Sequence, residues 1–160
     1  MTTEPALLQL NRLVGTWTTD ATHPASPGLV VHGTAEMTWL EGERFLIHRA
    51  RTDHPQFPDS ISIVGIMDSD HVEDAKNTSS KLATLPRLCM HYYDSRGVFR
   101  VYDMSIDHGV WRIWRNAPGF SQRFTGTFPP DGESIDGRWE LSEDDVNWKN
   151  DLEITYRRRK

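Results

Sequence analysis

The sequence predicts an all-β protein: a ten-stranded antiparallel up-and-down β-barrel with a short N-terminal helix that plugs one end. Two observations lead to this fold class. From residue 16 onward, short runs rich in Val, Ile, Thr and aromatic residues alternate with turn residues, which is typical of strands joined by tight turns. Helical spacing of apolar residues, by contrast, occurs only before this region, over residues 3–14.

The helix is predicted from three leucines, Leu7, Leu10 and Leu13, that recur at helical spacing. Pro5 suits a first helical turn, and Gly15 ends the pattern. A helix this short is marginal on its own, so it must dock on an apolar surface. The mouth of a barrel offers such a surface, and we therefore expect the helix to plug it.

The strands are predicted from period-two patterns and from the turn residues between them. Connections such as Glu41-Gly42 and Asp107-His108-Gly109 are hairpin-sized, so consecutive strands are antiparallel neighbours. A ten-stranded meander left flat would expose two edges, and closure into a barrel removes them. The predicted strands cover residues 16–21, 30–40, 44–52, 61–67, 88–94, 98–106, 110–115, 121–128, 134–142 and 152–157.

Two segments interrupt the meander. Residues 22–29 form a Pro- and Gly-rich loop of the kind found at the mouth of small-ligand barrels. Residues 68–86 are a long polar insertion, which we interpret as a surface loop.

Composition narrows the class of protein. A chain of 160 residues predicts a single domain, 1–160, and its net charge of −5 argues against a general nucleic-acid or anionic-membrane binder. Cys89 is the sole cysteine, so an intramolecular disulfide is excluded. No apolar run approaches a membrane span, and residues 1–11 lack the basic start of a signal peptide. We therefore expect a cytoplasmic protein.

The passage Leu13-Val14-Gly15-Thr16-Trp17 resembles the entry signature of the calycin superfamily, which includes lipocalins and fatty-acid-binding proteins. There a short helix leads into Gly-x-Trp on the first strand, and the Trp closes the base of the barrel. The chain is most similar to a bacterial calycin-like family of unknown function. The segments that carry this second resemblance are Trp39-Leu40-Glu41-Gly42-Glu43-Arg44-Phe45-Leu46, Tyr93-Asp94-Ser95-Arg96-Gly97-Val98, Trp111-Arg112-Ile113-Trp114-Arg115, Phe124-Thr125-Gly126-Thr127-Phe128 and Asp136-Gly137-Arg138-Trp139.

The same resemblance raises the question of haem. Nitrobindins share the ten-stranded barrel and bind haem through a histidine near the C-terminus, but in this sequence no histidine follows His108. We therefore predict no haem and no other cofactor.

Three histidines, His32, His48 and His91, fall on strands and could meet at a zinc ion. We favour separate, hydrogen-bonded histidines and predict no metal site.

Strand phase predicts a cavity. The strands near the C-terminus alternate cleanly, whereas those over residues 30–52 and 88–128 mix polar and apolar residues on both faces. Inward polar groups need partners or a ligand, which favours a cavity over a dry core. Trp17 is expected at the plugged end. The predicted ligand-binding residues are Trp39, His48, Met90, Tyr92, Tyr102, Trp114 and Gln122.

Three functions follow from this prediction. The first is binding of a small apolar or amphipathic molecule in the cavity, with His48 able to couple binding to protonation. The second is an isomerase, cyclase or decarboxylase type of enzyme that uses interior Tyr, His and Arg groups, with no catalytic residue assigned. The third is a scaffold whose barrel is filled by its own side chains. The expected partner is the small ligand, with neither nucleic acid nor membrane, and a homodimer stays open.

Overall fold

The computed structural model describes residues 4–67 and 87–160, and it confirms the predicted fold: a closed ten-stranded antiparallel barrel with a short N-terminal helix. Each strand pairs with its neighbours along the chain, and pairing of β1 with β10 closes the barrel. The strands are β1 Gly15–Thr22, β2 Val31–Trp39, β3 Leu46–Thr52, β4 Ser60–Met67, β5 Arg87–Asp94, β6 Phe99–Asp107, β7 Val110–Arg115, β8 Ser121–Thr127, β9 Ser134–Ser142 and β10 Lys149–Arg158.

The helix is shorter than the predicted 3–14. A single α-helical turn, α1 (Pro5–Leu8), is followed by a 3₁₀ turn (Gln9–Arg12). The tighter turn suits the end of a helix that runs directly into a strand. Leu7, Leu10 and Leu13 are buried in the barrel core as the spacing predicts, so the segment plugs one end.

Two tryptophans fix this plug to the wall. The fully buried Trp17 donates a hydrogen bond from Nε1 to the carbonyl of Leu13 at 2.9 Å, which confirms its predicted place at the plugged end. Trp39 donates from Nε1 to Oδ1 of Asn11, also at 2.9 Å. Arg158 lies over the Trp17 ring at 4.1 Å and donates to the Val14 carbonyl at 2.6 Å. These contacts hold the plug at the end of the barrel where β1 begins.

Strands β8 and β9 alternate clearly between an inner and an outer face. Gln122, Phe124, Gly126 and Phe128 are all buried, and Gly126 pairs across the strands with Gly137. A Cβ added to Gly137 would lie 2.5 Å from Cε2 of Phe124, so the pair of glycines makes room for this ring. The Phe124 ring in turn covers the backbone of Gly126 and Gly137, which have no side chains.

The strands that mix polar and apolar residues also turn one defined face towards the interior. On β3, Leu46 is buried and His48 contacts the interior ring of Trp111, while Arg49 is exposed. On β6, Tyr102 is buried, while Val101 is 37% exposed. Apolar side chains therefore lie on the outer wall here, and their alternation with polar inner groups is what blurs the pattern in the sequence.

Some predictions lie beyond these observations. The long polar loop predicted over 68–86 falls outside the described residues, and the single-domain assignment stays a prediction. In the described part of the chain, no helix has both the length and the apolar character needed to cross a membrane.

Candidate functional site

A column of aromatic rings runs through the barrel from the plugged end towards the opposite end. Neighbouring rings lie between 4.9 and 6.4 Å apart, centroid to centroid, which is the range of aromatic packing. The rings follow the order Trp17, Tyr156, Trp111, Phe124, Trp139, Tyr102 and Tyr92.

The two halves of the barrel differ in how completely they are filled. In the plugged half most inward side chains, such as Met37 and Leu46, are buried. Towards the opposite end, which we call the open half, several inward side chains stay only half-buried. These side chains therefore keep accessible surface at this end of the barrel. The half-buried inward residues are Ala50, Tyr92, Trp139, Leu152 and Ile154.

A polar cluster occupies the inner wall of the open half. The buried Tyr102 hydroxyl donates to Oε1 of Gln122 at 2.9 Å, and Nη1 of Arg100 donates to the same oxygen at 3.1 Å. Gln122 therefore accepts two bonds in a site that is only 7% exposed. Burial raises the pKa of the Tyr102 phenol, so it stays protonated near neutral pH.

Two arginines of this cluster meet at Phe120, in the turn between β7 and β8. The Arg100 guanidinium lies 5.1 Å from the centre of the Phe120 ring, and Nη1 of Arg115 donates to the Phe120 carbonyl at 3.2 Å. Both side chains are half-buried. The open half thus carries positive charge next to apolar rings.

Tyr92 is tied to the end of its own strand. Its hydroxyl donates to Oδ2 of Asp94 at 2.9 Å, and Arg96 donates to the same carboxylate oxygen at 2.7 Å. Burial acts to raise the pKa of Asp94, but the hydrogen bonds from Arg96 and Tyr92 outweigh it and hold the pKa at about 2. Asp94 is therefore a fixed anion that orients the Tyr92 ring.

Deeper in the barrel, His48 and Trp111 face one another with their ring centroids 6.4 Å apart. The Nε2 atom of His48 and the Nε1 atom of Trp111 are both enclosed, and neither has a hydrogen-bond partner. Burial lowers the pKa of His48 to about 4, so the imidazole is neutral at pH 7. Enclosed polar atoms without partners are uncommon in folded proteins.

The structure places the predicted ligand-binding residues in three groups. His48, Tyr92, Tyr102 and Gln122 lie on the inner wall described above. Trp39 and Met90 also face the interior: Met90 is buried in the core, and Trp39 packs against the core and bonds to the plug. That Trp39 and Met90 contact a ligand stays a prediction.

Trp114 faces the outer wall, contrary to its predicted phase. Because Trp111 and Ile113 are buried inside the barrel, the alternation of β7 turns Trp114 to the outer wall, where it pairs with Asp103 and Arg123. The interior indole of this strand is Trp111, which the sequence analysis did not select. Both phases of β7 carry an arginine, Arg112 beside Trp114 and Arg115 in the phase of Trp111, so the position of charge in the sequence does not identify the inner set.

The histidines considered for zinc lie apart. His32 is on the outer wall, where its Nδ1 lies 2.5 Å from Oδ1 of Asp20, and His91 is exposed beside Phe99. Only His48 of the three points inward. Within residues 4–67 and 87–160, no three His, Cys, Asp or Glu side chains form a group that could hold a metal ion.

The outer wall carries a groove of about 250 Å³ across β4 and β5. Phe45 forms one side and lies against Gly65, where an added Cβ would meet the ring at 2.6 Å. Cys89 borders the groove, and burial raises the pKa of its thiol. This groove offers apolar surface, whereas the interior offers apolar surface together with unpartnered polar atoms, so the interior is the stronger candidate site.

Comparison with known proteins supports the fold. No protein-family model and no curated protein sequence matches the chain. Among solved structures, the chain is similar to that of Rv2717c from M. tuberculosis, with a TM-score of 0.62 over 98% of both chains. The two sequences are 13% identical over this alignment, so the similarity extends to the fold.

Proposed function

We propose that the protein binds a small apolar or amphipathic molecule, which enters the barrel at its open end. The observation that carries this proposal is the contrast between the two halves: most inward side chains of the plugged half are buried, while several inward rings and aliphatic side chains of the open half stay partly accessible. A largely preformed apolar space with few polar groups is the usual form of a small-molecule site.

The polar cluster indicates how such a ligand is oriented. The apolar part of the ligand packs against Trp139 and Ile154, and a polar or anionic end meets the guanidinium groups of Arg100 and Arg115. A guanidinium is a strong donor to anionic oxygens, and it acts most strongly where water is partly excluded.

Binding is favoured over catalysis by the protonation states of the inner groups. General acid–base catalysis works best with a pKa near the working pH. Burial lowers the pKa of His48 to about 4 and raises those of Tyr92 and Tyr102, so these groups keep their protons fixed near neutrality. Such groups orient a ligand rather than exchange protons with it.

We also infer membership of the calycin superfamily. The support is local: the plug leads directly into Gly15-Thr16-Trp17, and the buried Trp17 ring lies at the floor of the barrel. Gly15 has a φ of 136°, in a region that favours glycine, and an added Cβ would lie 2.7 Å from Nη1 of Arg158. The turn into the first strand thus depends on the glycine of the signature.

A titration with anilinonaphthalene sulfonate, an amphipathic anion that fluoresces in apolar surroundings, tests the proposal. The variant Ala50→Phe adds a ring to the inner wall, and Arg51→Phe adds the same ring to the outer wall one residue away. We expect saturable binding by the parent and by Arg51→Phe, and at least a tenfold loss of affinity in Ala50→Phe. Equal affinity in both variants, or no saturable binding by the parent, would contradict binding in the open half.

A further inference from the structure

The unpartnered atoms of His48 and Trp111 limit the chemistry of the group that binds between them. An indole nitrogen can only donate a hydrogen bond, so the group must contain an acceptor. The side chain of Trp111 is 2% exposed, so bulk water does not satisfy its N–H. Leaving a buried donor without a partner is unfavourable, and a bound acceptor relieves that penalty.

The imidazole of His48 narrows the choice further. In its neutral form, one ring nitrogen donates and the other accepts. If Nδ1 carries the proton, Nε2 is an acceptor and requires a donor as its partner. If Nε2 carries the proton, it requires an acceptor. A hydroxyl oxygen satisfies both cases, because it accepts from Trp111 and either donates to or accepts from His48. A carbonyl or an ether oxygen satisfies only the second case.

His48 and Trp111 are neighbours inside the barrel, with their ring centroids 6.4 Å apart, so a single bound group can lie against both rings. The site also adjoins the aromatic column, since Trp111 packs on Phe124 at 4.9 Å and Phe124 on Trp139 at 5.2 Å. A hydroxyl placed there can therefore belong to a molecule whose body occupies the open half.

We propose that the barrel recognises the hydroxyl group of an alcohol or phenol between Nε2 of His48 and Nε1 of Trp111. This inference rests on the proposed function and adds the chemical class of the ligand. The leading end of the ligand carries the hydroxyl, and the trailing apolar part contacts Trp139 and Ile154 nearer the mouth. A trapped water molecule would occupy the same position without selecting any ligand, and the experiment below separates the two cases.

The test compares three probes of nearly equal size: naphthol, its methyl ether and naphthalene. Calorimetric titration of the parent should show naphthol binding about tenfold more tightly than the methyl ether, since one hydrogen bond in an enclosed site is worth about that factor. In His48→Phe the preference for naphthol over the ether should fall to about unity, while the affinity for naphthalene changes little. Trp111→Phe should weaken both oxygen-containing probes relative to naphthalene.

The outcomes are distinguishable. If no probe binds the folded parent, the proposed function and the hydroxyl site are both overturned. If naphthalene binds but naphthol and its ether bind equally, only the hydroxyl site is overturned. A crystal structure of the naphthol complex that shows water between the two rings, with the naphthol hydroxyl elsewhere, would also overturn only the hydroxyl site. Thermal unfolding of each variant establishes that it is folded.

Discussion

At the scale of single residues, burial of His48 has a consequence for stability. Its pKa is about 4 in the folded protein, against 6.5 for a solvated histidine. Between these two values the unfolded chain binds a proton that the folded protein does not, so the free energy of unfolding falls as the pH falls. Above about pH 6.5 neither state is protonated, and the penalty is absent.

We therefore expect the protein to lose up to about 3 kcal/mol of stability between pH 7 and pH 4 through this residue. His48→Gln removes the titrating group and should flatten this part of the profile. Urea unfolding of both proteins across this pH range measures the difference. Parallel profiles for the parent and the variant would show that His48 is protonated equally in the folded and unfolded states.

A second residue-scale prediction concerns Gln122, whose side-chain oxygen accepts from both Tyr102 and Arg100. Gln122→Leu leaves a buried phenol and a guanidinium without their acceptor and should destabilise the fold by about 1–3 kcal/mol. Tyr102→Phe removes one bond only and should have a smaller effect, about 1 kcal/mol. Denaturant unfolding gives both values; an effect of Tyr102→Phe as large as that of Gln122→Leu would exclude this arrangement.

At the scale of elements, the N-terminal plug is held by its leucines. Leu10 is fully buried, while Leu8 on the same segment is 42% exposed. Leu10→Ala should lower the free energy of unfolding by about 2–5 kcal/mol, because it removes buried apolar surface and leaves a cavity. Leu8→Ala makes the same substitution at an exposed position and should therefore alter the free energy of unfolding little. Similar losses from both, measured by urea unfolding, would mean that the plug is not docked as described.

The elements themselves were largely predictable from the sequence. Turn residues such as Asp107-His108-Gly109 and the alternation of Ile135, Gly137 and Trp139 are local signals, and local signals determine where strands begin and end. The exact form of the plug was not predictable. A 3₁₀ turn over Gln9–Arg12 depends on how tightly the segment must enter the barrel, which is a tertiary constraint.

At the scale of the whole molecule, the candidate site was predicted in part. His48, Tyr92, Tyr102 and Gln122 were selected and do lie on the inner wall. Phase identifies the face of a strand but not the height of a residue in the barrel, and the bond of Trp39 to Asn11 sets this residue at the plugged end. Which half stays open depends on the plug, and no local pattern in the strands encodes that.

The pairing of His48 with Trp111 could not be predicted from the sequence either. The two residues lie on β3 and β7, which are not neighbours in the barrel, so no strand register relates them. Their contact arises only because the closed wall brings inward rings together at its centre. Sites of this kind emerge from barrel closure rather than from a motif.

The central claim, that the open half of the barrel holds a small molecule, is tested most directly by native mass spectrometry of freshly purified protein. We predict a retained mass in excess of the 160-residue chain for the parent and for Arg51→Phe, and the mass of the chain alone for Ala50→Phe. The same adduct in all three proteins would contradict the account, as would the mass of the chain alone for the parent after gentle purification from the cells that produce it.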